Sequence, residues 1–175
     1  VSTSYYIEYL QYWRSGDYEN SLNSLHRYFD YMMSSKQKYY YHYALLALAS
    51  LHSSFGCEME AIRAINEAIM VAREARDTNC LNYLLAWLFD FLNEMPHLEN
   101  EGDMNRDQIL EFLELKSKQR HNSTLHCISF MNKAQMGLIK GQPMSGVHNN
   151  LISAAYLALH SSTTGPQKIN LIHVC

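Results

Sequence analysis

The sequence predicts an all-α fold, an α-solenoid of antiparallel helix hairpins, and three observations carry that prediction. The 175 residues include only 3 Pro and 7 Gly, too few for the many tight turns of a sandwich or propeller. Apolar side chains recur at helical spacing in nearly every block, with no convincing two-residue alternation. Finally, the stretch around Gly16 returns around Gly56, an offset of 40 residues.

The first block, Thr3 to Arg14, carries Tyr5, Tyr9, Tyr12 and Trp13 at i, i+4, i+7 and i+8, an aromatic stripe on one helix face. Ser15-Gly16 ends it, because Gly suits the left-handed position beyond a helix C-terminus. Asp17 is placed to cap a second helix with Leu22, Leu25, Phe29 and Met32 on one face. The polar stretch Ser34 to Lys38 reads as a loop. Leu45, Leu48, His52 and Phe55 then share a face up to Phe55-Gly56, and Ala61, Ile65, Ala68 and Ala72 line the next helix. Small residues on such a stripe let a neighbouring helix come close. Arg63 is spaced for ion pairs with Glu60 and Glu67. Asp77-Thr78 caps a helix with Leu81, Leu84, Leu85 and Leu88 inward, and Pro96 marks its end.

Residues 1–95 are thus a series of helical repeats, and 96–107 is an acidic insertion read as a loop (Glu99, Glu101, Asp103 and Asp107 against Arg106). Residues 108–175 are a further helical segment, expected to continue the solenoid and to be truncated at its end. There, Ile109, Leu110, Phe112 and Leu113 form one helical pattern, followed by a basic, polar run from Lys116 to Thr124. Asn122 or Ser123 can cap a helix holding Leu125, Ile128, Met131 and Leu138. After Gly141 and Pro143, Val147, Leu151, Ala154, Ala155 and Ala158 give one more, and a Ser161 to Pro166 linker precedes a last helix. The start at Val1 and the stop at Cys175 inside an apolar stretch lead us to expect a fragment of a longer chain.

The repeat resembles the tetratricopeptide (TPR) family in an irregular form. Its best unit runs from His42 to Ala75, with Leu45, Leu48, Ala49, His52, Gly56, Ala61, Ile65 and Ala68 at the family's bulky, small and packing positions. The first unit keeps Gly16 and Tyr18 but has Tyr9 at the small site and Ser21 and Tyr28 at the two alanine sites. In the third, Ala86 matches Ala49 at an offset of 37 residues. Both offsets exceed the 34-residue TPR period, and loops absorb the extra length cheaply. Among TPR proteins, the chain resembles the subunit 5 family of the anaphase-promoting complex. The likeness lies in Ser24 to Asp30, in Ala44 to His52 with Phe55-Gly56, and in Glu67 to Glu74 with Asp77 and the stretch Cys80 to Leu88. It implies a non-catalytic scaffold in the platform of that cell-cycle ubiquitin ligase, beside subunits 1, 4 and 15, in the nucleus and cytoplasm. The rival reading is a stand-alone TPR adaptor that captures peptide motifs.

Composition sets further bounds. A hydrophobic content of 47% and 18% charged residues argue against disorder. A net charge of −3 leaves no bulk basic charge for nucleic acid or an anionic membrane. Cys57, Cys80, Cys127 and Cys175 form no CxxC pair, which fits reduced thiols. The nine histidines match neither HExxH nor zinc-finger spacing, so no metal or cofactor is expected. Cys127 beside His126 is the one conceivable nucleophilic pair, but adjacent helical residues point to different faces, so no catalytic residue is assigned. Phosphate-cradling motifs and the Gly-x-Ser-x-Gly elbow are absent. Asn122-Ser123-Thr124 is a glycosylation triplet, read as a helix start.

Two surfaces are candidates for partner contact. Lys116, Lys118, Arg120 and His121 make a local basic cluster, read first as a solvated loop face and second as a seat for an acidic partner segment. The groove formed by the first helices of the repeats is the other. A carboxylate clamp there needs Lys, Arg and Asn. The corresponding positions are Tyr43, Leu46, Ser50 and Ser53 in one repeat and Cys80, Tyr83, Trp87 and Asp90 in the next. No cation stands among them. The result is an apolar and aromatic groove centred on Tyr43, Tyr83 and Trp87, suited to a fixed neighbour or to the chain's own next helices.

Overall fold

The computed structural model describes residues 2–34, 41–101, 104–120 and 123–161. Among these, all regular structure is helical: α1 (Ser2–Ser15), α2 (Tyr18–Ser34), α3 (Tyr41–Ser54), α4 (Glu58–Glu74), α5 (Thr78–Glu94), a 3-10 helix (Pro96–Glu101), α6 (Arg106–Arg120), α7 (Ser123–Ile139) and α8 (Met144–Ser161). No helix among the described residues is long and apolar enough to cross a membrane. The chain forms two compact units, Val1–Asn105 and Arg106–Cys175. The expected loop 35–38 and the linker and last helix beyond Ser161 lie outside the described residues.

In the first unit, α1 packs on α2 and α3 on α4, with α5 against α4. The helix ends share one device. After α1, the Gly16 N–H donates to the Trp13 carbonyl and the Asp17 N–H to that of Tyr12; after α3, the Gly56 and Cys57 N–H groups donate to Ser53 and His52. This is the Schellman pattern, which needs a left-handed residue, and φ is 79° at Gly16 and 74° at Gly56. The same pairing ends α4, but there the left-handed residue is Arg76, at φ 55°.

Most residues of the expected stripes are buried or partly buried in this unit, but Tyr12 of the first stripe is exposed. Leu45, Ala49, Ala61, Ile65, Ala68 and Ala86 are buried, as is His52, with Leu48 and Tyr18 partly buried. Tyr9, at the small-residue position of its repeat, is only 1% exposed. It packs with Leu25 and Leu51 in a cluster ringed by Trp13, Tyr18, Tyr28 and Phe29, and its hydroxyl donates to the Ala47 carbonyl at 3.4 Å. An aromatic junction therefore occupies the small-residue position of this repeat. Arg63 forms neither expected ion pair; Glu67 instead accepts from the Tyr41 hydroxyl at 3.2 Å.

The acidic stretch expected as a loop is partly helical and folds against α4. Leu98 of the 3-10 helix is buried. His97 Nε2 lies 2.9 Å from Glu58 Oε2, Asn66 donates to the Glu101 carbonyl at 3.3 Å, and the Arg73 guanidinium lies 3.1 Å from Met104 Sδ.

In the second unit, α7 packs against α6 and α8. Three expectations are corrected here. The basic run is helical as far as Arg120, where α6 ends: its Lys, Gln and Arg residues are good helix formers and no Gly or Pro interrupts them. The inner face of α7 is also rotated from the one expected. Met131 is 50% and Leu138 56% exposed, while Leu125, Ser129, Asn132 and Met136 are buried. On α8, only Val147 and Ala154 of the expected stripe are buried; Leu151, Ala155 and Ala158 are exposed.

Candidate functional site

The densest polar cluster lies where α3 meets the start of α5. Asp77 is the N-cap of α5, and its Oδ1 accepts the Cys80 N–H at 3.0 Å. Its Oδ2 accepts from the Tyr43 hydroxyl at 3.0 Å and lies 3.1 Å from His42 Nε2. His42 is 1% exposed. The bond from the Cys80 amide is the main cause that holds the Asp77 carboxyl below its usual value, and those from His42 and Tyr43 add to it. The Cys80 thiol is buried, and burial together with the Asp77 charge pushes it up to about 12. Burial likewise raises Tyr43.

His42, Asp77 and Cys80 offer donor atoms within 4.8 Å of one another. An imidazole, a carboxylate and a thiol are a set that zinc accepts. Both Asp77 oxygens, however, are already committed to the cap and to α3, and a thiol raised so far does not readily become a ligand. The arrangement works as a latch: one carboxylate ties an α3 side-chain pair to the first turn of α5.

Beyond the latch lie the residues expected to line a groove. Tyr43 is 44% and Tyr83 48% exposed, and Trp87 is partly buried. Trp87 is stacked on Phe91, with centroids 5.1 Å apart and planes at 11°. Tyr83, Trp87, Asp90 and Glu94 follow at i, i+4, i+7 and i+11, one stripe along α5. Most of the rest of that helix is buried, including Phe89, Phe91 and Leu92, which the sequence reading did not assign inward. Asp90 is exposed along its side chain, yet crowding by packed atoms and the Glu94 charge push its carboxyl up to about 6.

The other candidates fall apart in space or are bound up locally. Lys116 is partly buried, with its Nζ 5.6 Å from the Phe112 ring centroid; the side chains of Lys118, Arg120 and His121 lie outside the described residues. Cys127 donates to the Ala154 carbonyl at 3.4 Å and burial raises its thiol, whereas the His126 ring stacks on Phe130, so the two do not form a nucleophile–base pair. A depression in the second unit has its cations engaged: Lys140 bonds Asp107 at 2.5 Å and Lys133 pairs with Glu114 at 2.6 Å. Among the described residues the one convergent set of imidazole, carboxylate and thiol is His42, Asp77 and Cys80, and there the thiol is buried and raised to about 12, which does not suit a nucleophile.

Known proteins that resemble this chain share one description. The family model described as anaphase-promoting complex subunit 5 matches residues 5–95, which include the aromatic junction, the latch and the groove. A curated relative of that name from Schizosaccharomyces pombe is 43% identical over 155 residues, 88% of this chain and 21% of that protein. The Homo sapiens protein of the same name is 36% identical over 96 residues, 49% of this chain and 13% of its own length. The Arabidopsis thaliana one is 31% identical over 110 residues, 56% of this chain and 12% of its own length. This chain therefore spans about a fifth or less of the relatives it matches. With more than half of its length matched by the family model, and with helical hairpins of the kind that its repeats predict, the chain belongs to the anaphase-promoting complex subunit 5 family.

Proposed function

We propose that this chain is a segment of a non-catalytic scaffold subunit of the anaphase-promoting complex, a cell-cycle ubiquitin ligase. Its work is positional. Hairpins that share a buried core make a stiff support, and such a support holds catalytic and substrate-binding modules at fixed separations. The observation that carries the reading is the 43% identity over 88% of the chain to a protein named as that subunit. The first unit adds support, since its polar groups are used to join helices and not to surround a substrate. Contact with platform subunits 1, 4 and 15, and residence in nucleus and cytoplasm, belong to the same proposal; the free thiols Cys57, Cys80 and Cys127 are compatible with a reducing compartment.

The test is to tag the full-length protein at its chromosomal locus, purify it under native conditions and identify what accompanies it by mass spectrometry. Stoichiometric recovery of ubiquitin-ligase subunits is expected. Recovery of the protein alone, or with unrelated partners, refutes the scaffold reading and leaves the stand-alone adaptor. The exposure of Tyr43 and Tyr83 favours that second reading, because a peptide-capturing module needs an open aromatic groove.

A further inference from the structure

We infer that the open stripe of α5, with Tyr43 beside it, docks a cationic peptide segment of a partner protein, whose Lys or Arg side chains lie on Tyr83 and Trp87 with Asp90 and Glu94 as counter-charges. Three features of the structure point there.

The first is uncompensated charge. Asp90 and Glu94 stand four residues apart on one helix face, where like charges oppose each other. The sequences of α3 and α5 contain no Lys or Arg. Among the described residues no cation pairs with either carboxylate. Crowding by packed atoms is the main cause of the elevated Asp90 pKa, and the Glu94 charge adds to it; a cation seated beside the pair offsets that second contribution.

The second is pre-organised aromatic surface. Trp87 is stacked on the buried Phe91, and the Tyr43 hydroxyl is fastened to Asp77. Tyr43 and Tyr83 nevertheless keep nearly half their surface open. Held rings lose little entropy on binding, and their faces attract Lys and Arg.

The third is exposure on an otherwise buried helix. From Tyr83 to Glu94 the stripe is about 16 Å long at 1.5 Å per residue, room for about five residues of an extended segment. An anionic segment meets two carboxylates there, and among the described residues no cation is paired with them.

The proposal does not depend on membership of the ubiquitin ligase, and its test is separate. Full-length protein is titrated into a fluorescein-labelled eight-residue peptide of alternating Arg and Ala, and into its Glu-Ala counterpart, with fluorescence anisotropy as the readout. The Arg peptide is expected to bind, and to weaken as salt shortens the screening length, while the Glu peptide does not bind. The double variant Asp90→Asn/Glu94→Gln, isosteric and at the surface, should weaken the Arg peptide about tenfold, and Trp87→Phe by several-fold. Asp90→Lys should shift the preference toward the Glu peptide. Thermal melting of each variant confirms that it is folded. Equal binding of both peptides, no binding of either, or an Arg-peptide affinity unmoved by the double variant would overturn the proposal. So would self-association through this stripe, seen by sedimentation as a dimer that the double variant abolishes. Co-purification with the complex can fail while peptide binding holds, or the reverse, so the two readings are refuted separately.

Discussion

The Tyr18 hydroxyl lies 3.0 Å from Nδ1 of His52, 34 residues further along the chain, and the bond joins the start of α2 to the end of α3. Tyr18 also packs on Phe55 with centroids 5.1 Å apart. A phenol donating to a ring nitrogen suits a neutral imidazole. Burial is the main cause that lowers the His52 pKa, and the Glu60 charge opposes it in part.

A pH dependence follows from that depression. Above the unfolded value of about 6.5, His52 is neutral in both states and the favourable contact is intact. As pH falls through that value the unfolded chain takes up the proton first, so stability declines until the folded histidine titrates as well. Urea midpoints should therefore drop between pH 8 and pH 5, and His52→Gln should flatten the drop. Tyr18→Phe should cost about 1 kcal/mol at pH 8. An unchanged slope in His52→Gln would assign the pH dependence to another histidine.

Asp77 provides a second prediction, because it caps α5 and also receives both Tyr43 and His42. Asp77→Ala removes the cap, worth about 1 kcal/mol, and strips the buried His42 of a partner when its Nδ1 already has none. A total loss of about 2–3 kcal/mol is expected. Asp77→Asn keeps a capping oxygen and should lose less. The lowered Asp77 pKa adds stability that is present above the unfolded value of 3.8 and is lost as pH falls through the folded one. The wild type should thus lose more stability on acidification than the Ala variant, as denaturant titrations at pH 7 and pH 3 would show.

How far the sequence discloses this fold depends on which residues carry each helix inward. In α3, α4 and α5 the inward residues are mainly Leu, Ile and Ala, so an apolar period finds them. It finds only part of α5, where packing also covers Phe89, Phe91 and Leu92 on other faces, and a single-stripe reading expects one neighbour. In α7 the inward row is Leu125, Ser129, Asn132 and Met136. The helical period is intact, but two of its four members are polar, and counting apolar residues alone rotates the helix onto Met131 and Leu138. The turn at Arg76 carries no glycine to announce it; only the following Asp77 does. The exposed positions of Tyr43 and Tyr83 follow from helical spacing on two helices, whereas the latch depends on contacts between residues 34 and 35 apart, which no local pattern contains.

The small stripe of α4 permits a sharper test of the packing. Ala61 and Ala68 have no exposed surface, so neither position has room for a larger side chain. Ala61→Arg or Ala68→Arg should each cost several kcal/mol through overpacking and a buried unpaired charge. Ala75→Arg, one position past α4 and exposed, should change stability by less than about 0.5 kcal/mol. Thermal melting separates the two classes, and unchanged melting in both buried variants would contradict the placement of this face.

The left-handed turn residues offer the last prediction, because one device ends several helices with different residue types. At Gly56 a Cβ would meet nothing within 4 Å, so the position has space and only its φ of 74° resists substitution. Gly56→Ala should therefore cost about 1–2 kcal/mol through backbone strain alone. Arg76 already bears such a strain at φ 55°, so Arg76→Gly should relieve it. The larger entropy of glycine in the unfolded chain offsets part of the gain, leaving about 0.5–1 kcal/mol. Gly137 behaves differently: an added Cβ would sit 3.1 Å from Cγ2 of the buried Val147 and 3.3 Å from Oε1 of Gln142. Gly137→Ala should then destabilise through crowding, although alanine is the better helix former. Gly146, in α8, has open space and no left-handed φ, so Gly146→Ala should stabilise by up to about 1 kcal/mol. Denaturant melts of the four variants give four signs: loss at Gly56, gain at Arg76, loss at Gly137 and gain at Gly146. A gain at Gly56 would contradict the left-handed helix ending itself.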